Sequence, residues 1–120
     1  MDKNNIQFNY LYRDGGNYKN TASIVFSNPE NLRLFEIKKR LEEAFFQQEL
    51  FIADQVGIPE VFLFYEFELN EDDHCFHEFS GCEVTNAKPN DKLSRSISDF
   101  IDEVENQSAE GWLAFIPSES

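Results

Sequence analysis

The feature that most constrains this chain is a period of two running through its opening. Ile6, Phe8, Tyr10 and Tyr12 fall on one face of an extended segment, with Gln7, Asn9, Leu11 and Arg13 on the other. Tyr18, Asn20, Ala22, Ile24 and Phe26 then alternate with Lys19, Thr21, Ser23 and Val25. Side chains of a strand point to opposite faces in turn, so each segment reads as a strand with one buried face. Asp14-Gly15-Gly16-Asn17 between them is a turn signal. Facing residues share a face, so the apolar sets meet only across a loop of odd length. A loop of Asp14 to Gly16 satisfies that and sets Tyr12 opposite Tyr18.

The period then changes. Asn28-Pro29-Glu30 has the composition of a helix start. Leu34, Ile37, Leu41, Ala44, Phe45 and Gln48 trace one helical stripe, and no breaker interrupts it before about residue 49. Phe51 to Val56 fits a turn or a strand stub, and Gly57-Ile58-Pro59 punctuates the chain. Val61 to Leu69 alternates again and predicts a third strand; Asn70 to Asp73 is a polar turn. Cys75 to Thr85 predicts a fourth strand. A bulge near Ser80-Gly81 keeps Cys75, His77, Phe79, Cys82 and Val84 on one face. Asp91 is a capping residue for a second helix, whose stripe is Leu93, Ile97, Phe100, Ile101 and Val104. Gly111 stops it, and Trp112 to Ile116 is an apolar tail expected to dock on the sheet.

The order β-β-α-β-β-α predicts an α+β domain. A four-stranded, mainly antiparallel sheet with both helices on one face gives every alternating strand one covered side. A chain of 120 residues fits a single domain, 1–120. Its thirteen Phe supply much of the core volume.

Charge narrows the partners. The net charge is −13, and residues 41–87 carry twelve acidic groups with no Lys or Arg. Binding a phosphate backbone needs cations to displace counterions, so nucleic acid is a poor partner. A basic protein or a divalent cation suits the field better. No apolar run is long enough to span a bilayer, and no charged leader followed by an apolar stretch opens the chain. With two cysteines, Cys75 and Cys82, read as reduced thiols, the expectation is a cytoplasmic protein with no membrane partner.

Two clusters bear on chemistry. Asp72-Asp73-His74-Cys75-Phe76-His77-Glu78 gathers oxygen, nitrogen and sulfur donors. Zinc would draw on His74, His77, Cys75 and Cys82, and calcium or magnesium on Glu71, Asp72 and Asp73. A metal site of this kind centres on Asp72, Asp73, His74 and His77. On a strand, however, His74 and His77 point to opposite faces. The structural reading is a turn at Asp72 and Asp73, a solvated His74 and a hydrogen-bonded core His77. The second cluster follows from register. A turn over Glu71 to Asp73 sets Glu66 opposite Glu78, and like charges face to face need an offset from Arg13, Lys19, a cation or a shared proton.

Tyr10-Leu11-Tyr12-Arg13-Asp14, followed by Asn17-Tyr18-Lys19, resembles a pattern in a group of small bacterial proteins to which no activity is attached. Asp73, His77 and Glu78 resemble a second signature of that group. The resemblance implies one polar constellation of Arg13, Asp14, Asn17, Lys19, Asp73, His77 and Glu78, and no catalytic role. Two functions follow as expectations. One is a small acidic protein-binding or regulatory module, of inhibitor or immunity type, covering a basic partner and possible as a homodimer. The other is a metal-dependent or acid–base hydrolase. There His77 would be base or ligand, Glu78 its orienter, Asp73 a further carboxylate and Arg13 an electrostatic stabiliser.

Overall fold

A computed structural model describes residues 4–13, 18–62 and 74–114. Asn5–Arg13 form strand β1 and Lys19–Phe26 strand β2. Helix α1 spans Leu34–Ala44, and strand β3 is the two-residue Leu50–Phe51. Strand β4 spans His77–Thr85 and helix α2 spans Ile97–Glu110. The strands form one antiparallel sheet in the order β2-β1-β4-β3. Ile37 and Leu41 of α1 and Phe100, Ile101 and Val104 of α2 pack into one cluster with Ile6, Phe8 and Tyr10. The fold is therefore α+β, with the covered face where the alternation put it. Among the described residues no helix is long and apolar enough to cross a membrane.

Aromatic rings fill the space between sheet and helices. Phe8 lies at the centre, with ring centroids of Phe79 and Phe100 at 5.3 and 5.1 Å. Phe26 stacks on Phe100 at 4.5 Å. Burying one such ring stabilises the fold by about 2–3 kcal/mol.

The hairpin keeps the expected parity but not the expected loop. Arg13 pairs with Lys19 and Tyr12 with Asn20, so five residues, 14–18, connect the strands and Tyr12 does not face Tyr18. The bulge falls where the apolar pattern demanded it. Asn9 pairs with Gly81 and Tyr10 with Phe79, leaving Ser80 unopposed. Gly81 sits at φ +118° with open space where a Cβ would go, so backbone conformation and not crowding selects glycine.

The helix boundaries differ from the sequence reading. Asn28 closes a turn instead of starting α1: its side chain accepts from Leu32 N–H and donates to Leu32 C=O. Such local bonds compete with helix formation. The helix begins only at Leu34, after Arg33, which gives no side-chain cap. It ends at Ala44 because Phe45 and Phe51 stack in the core at 5.0 Å, and Gln47 and Gln48 turn the chain at positive φ. Asp91 does not cap α2. Ser96 does, in a reciprocal box with Asp99. Trp112 docks at the end of α1, its indole N–H donating to Ala44 C=O at 3.2 Å, and Phe115 and Ile116 of the expected tail lie outside the described residues. The third strand of the sheet is Leu50–Phe51. The strand expected over Val61 to Leu69 lies outside the described residues from position 63, and Val61 and Phe62 are not extended ladder.

Candidate functional site

The candidate residues meet at the end of the sheet where β1 turns toward β2. Of the polar constellation, Asp14, Asn17 and Asp73 lie outside the described residues, as do Glu71 and Asp72 of the metal reading. The rest divide between the two faces of the sheet. Period two makes this unavoidable for neighbours such as His77 and Glu78.

The outer face holds Arg13, Lys19 and Glu78. Arg13 donates from Nε at 3.3 Å and Nη2 at 3.1 Å to the two carboxylate oxygens of Glu78. That fork geometry is the strongest arrangement of this pair. Both side chains keep partial access to water, at 35% and 22% of full exposure. Lys19 is exposed on the adjoining strand, opposite Arg13. The lateral neighbours of Glu78 in the sheet are Leu11 and Leu50, and Glu66, expected opposite it, lies outside the described residues.

The core face holds His77. Its ring is fully buried and packs among Phe62 (centroid 4.6 Å), Tyr12 (5.8 Å) and Tyr10 (6.0 Å). Nε2 accepts from Val61 N–H at 2.8 Å. The proton of the neutral ring therefore sits on Nδ1, which is buried and finds no hydrogen-bond partner among the described residues. Burial, with His74 nearby, pulls the pKa down to about 4. A ring so placed is neutral, enclosed and without a lone pair to offer.

His77 has company in holding the segment that follows Gly57. Tyr10 donates to Pro59 C=O at 2.7 Å, and Asn20 donates to Val61 C=O at 3.1 Å. Three side chains from three strands thus fasten residues 59–61 over the sheet. Burial raises the Tyr10 phenol to about 12, so it stays a donor.

His74 is equally committed. Its Nδ1 accepts from Phe76 N–H at 3.1 Å, so Nε2 carries the proton given to Arg13 C=O at 2.7 Å. The expected solvated histidine is instead a backbone clamp. Cys75 is buried, and burial lifts the partly covered Cys82 thiol to about 12, far from a thiolate. Among the described residues no group of three His, Cys, Asp or Glu side chains is placed to hold a metal ion.

Sequence reasoning missed Arg95. Its Nε and Nη2 bond both oxygens of the buried Asp91, at 2.9 and 3.0 Å. Nη1 reaches Val56 C=O at 2.7 Å, and the guanidinium lies over the Phe100 ring at 5.1 Å. Burial works against the Asp91 charge, but the bonds from Arg95 hold its carboxyl below the ordinary range. The signal available in the sequence was an Asp and an Arg four residues apart. An open depression of about 380 Å³ on the outer side of α1 is lined by Phe35, Lys38, Lys39, Glu42, Glu43 and Gln48, none of them a candidate residue. Comparison with family models, with curated proteins and with solved structures finds no match to the chain.

Proposed function

We propose that the protein is an acidic protein-binding module whose partner is basic and docks on α2. The observation that carries the reading is the charge of that helix. Asp99, Asp102, Glu103, Glu105 and Glu110 line α2, which contains no Lys, Arg or His. Asp99 and Glu103 stand four apart, where like charges repel, and Glu110 sits at the negative end of the helix dipole. One cation from α1, Arg40, bonds Asp102 and Glu105. The Asp99–Glu103 repulsion and the place of Glu110 each cost the isolated domain stability, and a basic partner reverses their sign. The hydrolase reading is weaker because its base, His77, is packed among aromatic rings with its accepting nitrogen occupied.

The test uses charge reversal. Asp102→Lys, Glu103→Lys and Glu110→Lys together should leave the far-ultraviolet spectrum and unfolding cooperativity intact. Retention of purified basic proteins on the immobilised domain should fall steeply with salt in the wild type and be lost in the triple variant. Retention indifferent to both salt and reversal would overturn the proposal.

A further inference from the structure

β2 is an outermost strand of the sheet. In an antiparallel ladder the N–H and C=O of one residue point to the same lateral side, and the side alternates along the strand. Val25 turns its pair away from β1. Its N–H donates to Oδ1 of Asn90 at 2.8 Å, and its C=O accepts from Asn90 N–H at 2.9 Å. Two residues on, Ser27 C=O accepts from Ile97 N–H at 2.7 Å. The segment leading into α2 thus fills the C-terminal part of the edge. Counting back from Val25 by twos, Ser23, Thr21 and Lys19 turn their backbone pairs outward too. Their side chains are exposed, and among the described residues no other segment bonds these three. They form three consecutive open rungs that stop where Asn90 begins.

The geometry points to a second copy of this chain as the occupant of that edge, paired antiparallel about a two-fold axis at Thr21. The inference concerns a different surface from α2 and does not rest on the reading above. Three features single out a self-pairing. First, the rungs are self-complementary: Thr21 faces Thr21 and Lys19 faces Ser23 twice, so all three are used at once with roughly six backbone bonds, two per facing pair. Second, polarity matches on both sides. Lys19, Thr21 and Ser23 meet their own kind on the outer face, and the half-buried Asn20 and Ala22 meet theirs on the core face. Third, the two Lys19 side chains stand about 13 Å apart by strand rise, so no like charges oppose each other directly. Asn90 bounds the register, because one rung further would displace it from Val25. The product is a continuous sheet of eight strands, four from each copy, with both helical layers on one side. An open edge is a template for pairing, and here it is neither bulged nor interrupted by proline.

The whole chain carries −13, so bringing two copies together is opposed by their net charge. Self-association at the edge should therefore strengthen with salt, opposite to docking of a basic partner. The experiment is sedimentation equilibrium of the full chain at low and high salt, from about 10 μM to about 1 mM, the range a pairing of few rungs reaches. The expected result is a rise of the average mass from the 14.0 kDa monomer toward twice that value. Thr21→Pro removes an outward N–H and leaves the bonds to β1 alone, so it should hold the chain monomeric. Because proline at that position risks misfolding, Ser23 supplies a second pair of variants on an exposed side chain. Ser23→Glu faces the partner's Lys19 and should tighten association, and Ser23→Lys should weaken it, with a difference of roughly tenfold. A monomer at every concentration and salt would overturn the proposal. So would association that ignores the sign of the charge at position 23.

Discussion

The two faces of the sheet at the β1–β2 end treat ionisable groups in opposite ways. On the outer face Arg13 and Glu78 are forked together and partly wetted. On the core face, one residue from Glu78, His77 is stripped of water, held neutral and fastened through a single nitrogen to Val61 N–H. The same strands carry both. What differs is the cover: residues 59–62 and the rings of Tyr10, Tyr12 and Phe51 close over one side, while on the other Arg13 and Glu78 keep partial access to water. The contrast teaches that adjacency in sequence says little about shared chemistry on a strand. A charge costs little at a wet surface and several kcal/mol in a ring-lined interior.

The comparison breaks most visibly if the core histidine is removed. His77→Ala leaves a cavity among aromatic rings and strands the Val61 N–H, so it should destabilise the fold by about 3–4 kcal/mol. The midpoint of urea unfolding at neutral pH measures this. A cost under about 1 kcal/mol would mean that the interior at His77 can collapse or admit water, and the two faces would be alike.

Acid should reveal the same asymmetry. The pKa of His77 lies near 4 in the fold, against 6.5 for a free histidine. Between those values the unfolded chain binds a proton that the native chain refuses. Stability is therefore full above pH 6.5 and lost as pH falls toward 4, by about 3 kcal/mol at 1.36 kcal/mol per unit. Among the described residues the groups facing the ring are Tyr10, Tyr12, Phe51, Phe62 and His74, of which His74 opposes the charged form. His77→Phe keeps the ring volume and cannot titrate. The difference in unfolding free energy between wild type and this variant, followed from pH 7 to pH 4, should shrink steadily. A constant difference would show that the imidazole is already solvated.

How much of this could be read in the chain follows from where the information sits. The alternation of Ile6 to Tyr12 and of Asn20 to Phe26 is local and strong, and the strands formed as it indicated. The bulge was legible because Cys82 and Val84 match His77 and Phe79 in polarity but not in parity. The same period already separated His77 from Glu78, so the polar constellation was divisible from the start. The end of α1 was not legible. Its stripe runs on through Phe45, and only the stacking of Phe45 on Phe51 takes the chain out of the helix. Nor was the start, since Asn28 offers a turn to Leu32 as readily as a cap to a helix. The two-residue β3 exists only through its pairing with β4, and the Asp91–Arg95 pair, though local, is fixed by Val56 C=O far back along the chain. Single-residue patterns carry no trace of such partners.

The smallest expected effect belongs to the outer face and sharpens the contrast from the other side. Arg13→Ala, Glu78→Gln and the double variant close a thermodynamic cycle for the fork. Because both side chains reach water, their coupling should be no more than about 1 kcal/mol. It should also fade as salt rises from about 0.05 to about 0.5 M, since screening acts on exposed pairs and spares buried ones. The His77 effects, which need desolvation and not attraction between ions, should be nearly indifferent to the same change. A coupling above about 2 kcal/mol that survives salt would place Arg13 and Glu78 in a dry environment. The outer face would then be covered as the core face is, and the distinction between them would lie in what covers each.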